Sequence, residues 1–486
     1  MGDRDTQRRK DEEQLQRLGY AQQLLREMGG FSNFALSFSI ISILTGGVTL
    51  YGHGLRFGGP LVVGLGWPLV AVMTLFVAAS LAQLSSSFPT AGALYHWSAI
   101  LGGPGWGFFT AWLNTLGQFA ITAAIDYGLA EFVVGMLGWP ADRTRVLPVY
   151  AAILLSHAVL NHVGVKAVAL LNWVSAWYHL VGVAALVAAL ALLAPKQELS
   201  FLFTRFQSEP TPTYLYGFWV GLLQAGWTFT GYDASAHVTE ETVDPSRNAP
   251  WGIFLSVAVS AVAGYAMLIA VTLAVGDPAE VAAASNPFIH VLTSALGRLG
   301  SVLVWLVIGA MWFCGLSSVT SNSRMLFAFA RDGGLPFSPL LARVSARFQS
   351  PHVAVWASVL AAFLVAMWAD VYSAMAALST IALYVSYALP IAVGWWARSN
   401  GRWSTRGPWD LGRFSSVVNA IALVWVATIT VLFVLPPNQL AGYTFAGSLL
   451  ALAGYWFGYM RTRFAGPKVK AEDLLLAPAV VPARSS

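Results

Sequence analysis

The stretch from Ala225 to Asn248, AGWTFTGYDASAHVTEETVDPSRN, places a carboxylate at predicted membrane depth. Asp233 follows two glycines, Gly226 and Gly231, which stand among β-branched and aromatic residues. Glycine is a poor helix former that lets a ligand or a second backbone approach closely. A carboxylate in lipid is costly unless it faces a cavity or a partner. These features predict a helix broken in mid-membrane, whose freed backbone groups line a binding site. The alternative is a span that ends near Phe229 and leaves Asp233 at the interface.

The composition indicates an integral membrane protein. Of the 486 residues, 57% are hydrophobic and 10% are charged, and the mean hydropathy is +0.64. Soluble domains carry about 25% charged residues. The isoelectric point near 9.3 does not indicate nucleic-acid binding, because the basic residues are not clustered into one face. Membrane lipid is therefore an expected partner and nucleic acid is not. The single cysteine, Cys314, excludes an intrachain disulfide.

Apolar stretches of about 20 residues predict twelve membrane spans. In chain order these spans, numbered 1 to 12, cover residues 31–52, 62–86, 104–136, 147–162, 168–194, 212–238, 250–276, 298–330, 352–370, 373–397, 413–435 and 440–461. Residues 1–30 and 464–486 are predicted as cytosolic tails around a twelve-helix membrane domain at 31–463. With both termini on one side, that side holds 21 of the 27 Lys and Arg residues. The positive-inside rule then predicts a multi-pass protein of the cell membrane, plasma or inner, with both termini in the cytosol.

Span 1, like span 6, is an apolar stretch that glycines interrupt. Its sequence, FSNFALSFSIISILTGGVTLYGHG, is interrupted near the middle by Thr45, Gly46 and Gly47. Two glycine-interrupted spans in corresponding positions, five spans apart, predict inverted repeats with a site between them. The repeats would cover 31–194 and 212–397, followed by two extra helices at 413–461. Glycine in either span alone is equally explained by close helix packing.

Other polar residues within the spans leave several interpretations open. Asp126 in span 3 is expected either to pair within the bundle or to line a vestibule. His179 in span 5 is either a hydrogen-bonded packing residue or a proton carrier. The hydroxyls of Ser317 and Ser318 in span 8 either bond back to their own helix or supply oxygens for a sodium ion. Residues 85–97, SSSFPTAGALYHW, predict a short re-entrant or cytosolic connector, and 277–297 a structured external loop.

Four motifs carry a resemblance to the amino acid–polyamine–organocation transporter superfamily. The chain most resembles the amino acid/choline branch, which includes fungal GABA and choline permeases and plant bidirectional amino acid transporters. The motifs are LTGGVTLYGHGLRFGGP (44–60), SSSFPTAGALYHWSAILGGP (85–104), TGYDASAHVTEET (230–242) and CGLSSVTSNSRMLFAFARDGGLP (314–336). The resemblance runs from about Gly29 to Arg463. It implies an all-α membrane protein with a LeuT-type fold of 5+5 inverted repeats plus two helices, twelve transmembrane helices in all.

The resemblance also assigns residues to a substrate site. Residues 42–47 match the unwound part of span 1, where backbone amides meet the substrate carboxylate. Residues 227–233 match the unwound part of span 6, whose carbonyls and aromatic side chains meet the amine end. Both assignments agree with the polarity of half-helix ends. The predicted substrate-binding residues are Ser42, Thr45, Gly46, Gly47, Trp227, Phe229, Thr230, Gly231 and Tyr232.

A second predicted set serves coupling or gating, namely Asp233, His179, Ser317 and Ser318. Asp233 falls where many relatives carry an acidic gate or coupling residue. His179 falls about where some proton-coupled relatives place a lysine amine in the sodium site. Protonated, it would mimic the cation; neutral, it would leave room for one.

The resemblance implies a secondary transporter that imports an amino acid such as GABA by alternating access, with proton or sodium coupling. Consistently, no phosphate-binding GxxxxGK[ST] motif occurs. Uptake of choline, ethanolamine or a polyamine is the alternative, because Trp227, Phe229 and Tyr232 could form an aromatic cage for an amine. A membrane sensor that keeps the fold without turnover is a third possibility. We expect no enzyme activity and no cofactor or bound metal beyond a coupling ion. The oligomeric state stays open.

Overall fold

The computed structural model describes residues 2–368 and 372–468, and helices dominate this part of the chain. Within it, ten helices are long and apolar enough to cross a membrane. The two remaining predicted spans are span 6, which is broken, and span 9, which covers His352–Trp368. Residues 369 and 370, the predicted end of span 9, lie outside the described residues. The predicted all-α membrane fold is confirmed.

The helix bounds follow the predicted spans closely. Span 1 comprises Gly30–Ile41, Gly46–Thr49 and Tyr51–Gly58, and span 2 comprises Val62–Gly66 and Trp67–Ser87. Spans 3 to 5 are Pro104–Met136, Arg143–Val163 and Val165–Leu193. Span 6 comprises Tyr214–Gly221, Leu223–Thr228 and Ala234–His237, and spans 7 and 8 are Pro245–Leu273 and Arg298–Arg331. Spans 10 to 12 are Tyr372–Ser399, Ser415–Val434 and Gln439–Gly458.

The helix ends show local reasons for their positions. Span 4 begins four residues before its predicted start, because the Asp142 carboxylate accepts a hydrogen bond from the Arg145 backbone N–H. Span 7 begins at Pro245, a residue type well suited to the first helical position. The external loop is structured, as expected, and contains two short helices, Pro278–Ala283 and Pro287–Leu296.

Span 3 occupies the centre of the bundle, where it packs against spans 8 and 10, while span 7 packs against spans 1 and 2. Spans 5, 11 and 12 present apolar side chains outward, for example Leu192 (79% exposed), Val424 (67%) and Leu450 (76%). Apolar exposure on this scale suits contact with lipid tails. The polar residues of the central spans are therefore shielded from lipid by the outer helices.

The segment after span 2 differs from the predicted short connector. A turn at residues 88–93 leads into a buried helix, Leu94–Gly102. The indole N–H of Trp97 donates to the Phe88 carbonyl at 2.8 Å and so holds the turn. Pro89 and Gly92 interrupt the helix as predicted, but the residues after them form a new helix that packs on spans 3 and 10.

The N-terminal segment is folded against the bundle rather than a free tail. Its helix, Gly2–Arg17, contacts the start of span 7. The Asp11 carboxylate there accepts a hydrogen bond from the Asp244 backbone N–H at 2.9 Å. An isolated parallel β-bridge joins Met28 to Thr242. We call the side of the bundle that carries this segment the N-terminal face. The predicted C-terminal tail lies outside the described residues from 469 onward.

Candidate functional site

The break in span 1 lies slightly before the predicted glycines. The first helix ends at Ile41, residues 42–45 are not helical, and the next helix begins at Gly46. Ser42 has φ +26°, an uncommon backbone conformation for a residue with a side chain. The Gly46 N–H already bonds to the Ser42 carbonyl at 2.9 Å. Gly46 and Gly47 are therefore helical, and the break occupies the first part of the segment predicted to be unwound, residues 42–47.

Gly46 has a packing role instead. A Cβ atom at this position would lie 2.5 Å from Oγ1 and 2.8 Å from Cα of Thr228 in span 6. Such distances leave no space for a side chain, so glycine is required where the two broken spans meet. At Gly47 a Cβ would lie 3.4 Å from the nearest atom, in Met267, and this position is less crowded.

The break in span 6 occurs as predicted from the glycine and aspartate pattern. Helix Leu223–Thr228 ends before residues 229–233, which are not helical, and Ala234–His237 follows. Gly231 has φ +85°, and a Cβ there would lie 2.3 Å from Ile40 at the end of the first half of span 1. Gly226 lies within a helix and takes no part in the break. The alternative of a span that simply ends near Phe229 is thereby contradicted.

A small cavity of about 170 Å³ lies between the two breaks. Of this empty space only about 10 Å³ is open to the centre of a water-sized molecule, which is about the minimum that a single water molecule needs. Three predicted substrate-binding residues line it, namely Thr45, Gly46 and Trp227, together with Ile40, Ile41, Ile121, Ile125 and Thr228. The indole N–H of Trp227 donates to Ser379 Oγ at 3.0 Å, which fixes the ring at the cavity wall. The cavity is thus mainly apolar, with backbone and hydroxyl groups at the helix ends.

The predicted aromatic cage does not form. The Phe229 ring packs on Trp67 at 4.7 Å between ring centroids, and the Tyr232 ring packs on Tyr387 at 5.0 Å. Of the three aromatic residues, only Trp227 lines the cavity.

Three other predicted substrate-binding residues, Ser42, Gly47 and Thr230, make hydrogen bonds that stabilise the two breaks. Ser42 Oγ and Thr45 Oγ1 are hydrogen-bonded at 2.6 Å. The Gly47 carbonyl accepts from Gln224 Nε2 at 2.9 Å. Thr230 Oγ1 donates to the Trp227 carbonyl at 2.6 Å and satisfies one of the carbonyls that the end of the helix frees.

Asp233 is completely buried at the end of the span 6 break, beside the cavity rather than in its wall. Its carboxylate accepts from Tyr387 Oη at 2.8 Å and from Asn114 Nδ2 at 3.0 Å, and it lies 3.1 Å from His237 Nε2. The Gly231 N–H, inside the break, donates to the same Tyr387 hydroxyl at 3.2 Å. Sequence reasoning missed these three partners. The spacing of His237, four residues after Asp233, was the available signal, because residues so spaced share a helix face.

His179 contacts the span 1 break through Ser42. Its Nε2 lies 2.8 Å from Ser42 Oγ, and its Nδ1 lies 2.8 Å from the Ser175 carbonyl. Because a carbonyl only accepts, Nδ1 carries a proton. His179 thus reaches the cavity wall through Ser42 and Thr45.

The span 8 hydroxyls have other partners. Ser317 Oγ donates to Asn172 Oδ1 at 2.8 Å, and Ser318 Oγ and Thr122 Oγ1 are 2.7 Å apart. The pairing of Asp126 within the bundle is observed, since its Oδ2 lies 3.1 Å from Nδ1 of His157 in span 4. Among the described residues, no group of three or more His, Cys, Asp or Glu side chains could hold a metal ion.

Two buried ion pairs close the N-terminal face of the bundle. Arg324 of span 8 donates from Nε to Glu241 Oε1 at 3.0 Å, and both side chains are completely buried. Arg331 makes a bidentate contact with Glu240, at 2.9 and 3.0 Å. Both acids directly follow span 6, so these pairs hold the end of span 6 to the end of span 8.

The N-terminal segment adds Tyr20 to this closure. Its hydroxyl donates to Asp332 Oδ2 at 2.8 Å, and the Arg331 guanidinium lies over its ring at 4.0 Å. His96 Nε2 also lies 3.0 Å from Asp332 Oδ2. Burial acts to raise the pKa of Asp332, but hydrogen bonds and charge from His96, Arg331 and Tyr20 hold it below its usual value.

On the opposite face, a vestibule of about 480 Å³ is open to the outside of the bundle. Its wall includes Thr49 and His53 of span 1, Glu131 of span 3 and Tyr372 of span 10. The Tyr372 hydroxyl donates to Thr49 Oγ1 at 2.9 Å, and the Tyr372 ring also contacts Trp227 of the cavity. The cavity is thus closed towards the N-terminal face and separated from the vestibule by a thin layer of side chains.

Two broken helices around a closed central cavity, with a vestibule on one face, define a membrane transporter. The amino acid permease family model matches residues 28–457, and the chain belongs to this family. It is 37% identical to amino-acid permease BAT1 of Arabidopsis thaliana, over 93% of this chain and 95% of the relative. It is 38% identical to the BAT1 homolog of Oryza sativa subsp. japonica, over 93% and 94%. The GABA-specific permease of Saccharomyces cerevisiae is 26% identical over 95% of this chain and 86% of its own length.

Proposed function

We propose that this permease imports a small amino acid, such as GABA, by proton-coupled alternating access. The observation that carries the proposal is the cavity between the two breaks. One wall is formed by Thr45 and Gly46, where a half-helix begins, and the other by Trp227 and Thr228, where a half-helix ends. The beginning of a helix attracts anions and its end attracts cations. A molecule with a carboxylate at one end and an ammonium at the other matches this polarity.

GABA is proposed as the representative substrate because its two charged groups are joined by a short apolar chain. The cavity wall between the helix ends is apolar, with Ile40, Ile121 and Ile125. A relative named as a GABA-specific permease supports the same choice. Choline, ethanolamine or a polyamine is less well supported, because a single aromatic residue, Trp227, lines the cavity, whereas quaternary ammonium sites use several aromatic faces.

Proton coupling is proposed in preference to sodium coupling. Ser317 and Ser318, the candidate sodium ligands, point to different partners, Asn172 and Thr122. His179 is the candidate proton carrier. Its neutral Nε2 accepts from Ser42, whereas a protonated Nε2 would donate to Ser42 and so reorient the hydroxyl of Thr45 at the cavity wall.

The proposed orientation assigns a side of the membrane to each face of the bundle. Both termini would lie in the cytosol, since most Lys and Arg residues lie on that side. The open vestibule would then face outward and the N-terminal face inward. The ion pairs of Glu240 and Glu241 would form the inner gate, with Asp233 between this gate and the cavity.

The proposal is tested with purified protein in proteoliposomes. Labelled GABA, other amino acids and choline are compared under an imposed pH gradient in sodium-free buffer, and under a sodium gradient at constant pH. Accumulation of an amino acid under the pH gradient alone is expected. Sodium-dependent uptake that ignores the pH gradient, with His179→Ala still active, would rule out proton coupling. Uptake of choline in preference to every amino acid would rule out the substrate class.

A further inference from the structure

Asp126 and His157 form a buried acid–imidazole pair outside the substrate cavity. They lie on spans 3 and 4, with Asp126 Oδ2 3.1 Å from His157 Nδ1, and both side chains are 0% exposed. The second carboxylate oxygen, Asp126 Oδ1, and the second ring nitrogen, His157 Nε2, are buried and have no hydrogen-bond partner in the described chain. Among the described residues, His157 is the one ion-pair partner of Asp126.

Span 8 has a glycine, Gly315, at the position where it packs against this carboxylate. Gly315 faces Asp126, and a Cβ at that glycine would lie only 1.9 Å from Oδ1. The other titratable groups that face Asp126 are Tyr150 of span 4 and Cys314 of span 8. The Tyr150 hydroxyl donates to the Ala362 carbonyl, and the Cys314 thiol donates to the Ile40 carbonyl. Neither group therefore supplies a hydrogen bond or a positive charge to the pair.

Asp233 provides an internal comparison within the same protein. Its two oxygens accept from Tyr387 and Asn114 and lie near His237, so its negative charge is well solvated by protein groups. The carboxylate of Asp126 has a single partner. Without an additional proton, the Asp126–His157 pair carries one net negative charge at membrane depth; with one, it is neutral. Because a net charge in a dry, closed bundle is costly, the neutral form is the one suited to a closed state.

A polar stripe connects this pair to the rest of the transport machinery. Span 3 has a polar residue at every fourth position, in the order Asn114, Gln118, Thr122 and Asp126, and residues so spaced lie on one helix face. Asn114 bonds to Asp233, and Gln118 and Thr122 bond to span 8, at Ser321 (3.3 Å) and Ser318. Five residues beyond Asp126, Glu131 lines the open vestibule.

We propose that Asp126 and His157 form a proton-holding site, separate from His179, that takes up a proton from the open vestibule before the bundle closes. The proton enters from external solvent, neutralises the pair, and leaves to the cytosolic solvent when the N-terminal face opens. The cavity senses the pair through Ile125, the neighbour of Asp126 in sequence and part of the cavity wall. This inference rests on the proposed proton-coupled transport and adds a holding site for the proton besides His179.

The test uses full-length protein in proteoliposomes and two functional readouts with labelled GABA, or with whichever amino acid the wild type exchanges fastest. The first is substrate exchange without a gradient, and the second is accumulation driven by a pH gradient with the membrane potential clamped. Asp126→Asn keeps the shape of the side chain but cannot change charge. We expect it to retain exchange and to reduce pH-driven accumulation to the level of protein-free vesicles, and His157→Gln to do the same. Glu280→Gln is the matched control, because Glu280 pairs with His290 at 3.5 Å on the exposed external loop; we expect wild-type behaviour.

The outcomes separate the inference from the proposed function. No exchange by the wild type contradicts the transport function itself, and exchange without pH-driven accumulation contradicts proton coupling. If Asp126→Asn accumulates substrate like the wild type, the inference is overturned but the proposed function is not. The same holds if His179→Ala loses accumulation and Asp126→Asn and His157→Gln keep it. If Asp126→Asn is inactive in both readouts, infrared difference spectroscopy across pH decides. A protonated-carboxyl band present in the wild type and missing in Asp126→Asn supports the site, and a band unchanged by the substitution overturns it.

Discussion

The carboxylate of Asp233 lies 3.1 Å from His237 Nε2, one helical turn further along span 6, and both groups are completely shielded from solvent. Asn114 and Tyr387 connect the same carboxylate to spans 3 and 10, whereas His237 holds it to its own span. The proposed inner gate begins immediately after His237, at Thr239. If the short helix Ala234–His237 moves, the contacts of Asp233 must either break or move with it.

Replacing Asp233 with asparagine should strongly impair transport. The amide removes the negative charge that three neighbouring groups stabilise, and a hydrogen bond to a buried charged group is worth about 1.5–3 kcal/mol. We expect uptake to fall by about tenfold or more, the equivalent of about 1.4 kcal/mol. The control is Asp410→Asn, which removes a carboxylate paired with Arg398 and Arg406 on a peripheral loop. Normal uptake by Asp233→Asn at every pH would contradict the role of this residue.

Neighbouring glycines should respond differently to the same small change. Gly46→Ala places a methyl group 2.8 Å from the Thr228 backbone, whereas at Gly47 the nearest atom is the flexible end of Met267 at 3.4 Å. We expect Gly46→Ala to abolish uptake with normal membrane expression, and Gly47→Ala to keep most of it. Initial rates normalised to surface protein measure the difference. Equal activity of the two variants would mean that spans 1 and 6 do not need to touch at Gly46.

The Tyr20 contact should set how firmly the N-terminal face is closed. Tyr20→Phe keeps the ring under Arg331 but loses the hydrogen bond to Asp332, at a cost of about 1.5–3 kcal/mol for a charged acceptor. We expect residues on the inner side to become more accessible to a cysteine reagent, measured on single-cysteine reporters. Tyr216→Phe is the control, because its hydroxyl donates to the Pro436 carbonyl away from this contact. Unchanged accessibility would show that Tyr20 does not hold the closed state.

This closure should also be insensitive to physiological pH. The folded pKa of Asp332 lies below its ordinary value because His96, Arg331 and Tyr20 outweigh the effect of burial. A carboxyl with a lowered pKa stabilises the folded form above its unfolded pKa of about 3.9, and this contribution is lost as the pH falls through the folded pKa. We therefore expect inner-side accessibility to stay constant between about pH 5 and pH 8. A change within that range would assign the inner closure to another titratable group.

The buried pair of Arg324 and Glu241 should be more sensitive to single than to double substitution. Arg324→Met leaves an uncompensated carboxylate, and breaking a buried pair costs about 3–5 kcal/mol. The double variant Arg324→Met/Glu241→Met removes both charges and should recover much of the lost stability. Thermal unfolding of Arg324→Met, Glu241→Met and the double variant in detergent measures this. A double variant as unstable as the worse single one would point to a packing role.

The broken helices were predictable because their signal is local. Gly231 before Asp233 predicts the span 6 break within a few residues, and the structure has it at residues 229–233. The exact position of the span 1 break was not predictable, because it depends on Ser42 adopting φ +26° while Gly46 receives Thr228 from another span. The partners of Asp126 and His179 could not be predicted either, because they depend on which faces of distant spans meet. The four-residue period of polar residues in span 3 was visible in the sequence and is the signal that could have identified this face.

The docking of the N-terminal segment also constrains the order in which the chain can mature. Gln14 bonds to Ser246 across 232 positions of sequence, and Tyr20 bonds to Asp332 across 312. This segment is synthesised before spans 7 and 8 and therefore has to wait until they have been inserted before it finds its partners. Until then, Tyr20 and the main-chain groups around Met28 lack their final contacts. The closure of the N-terminal face is therefore completed only after span 8 has been inserted, late in the assembly of the bundle.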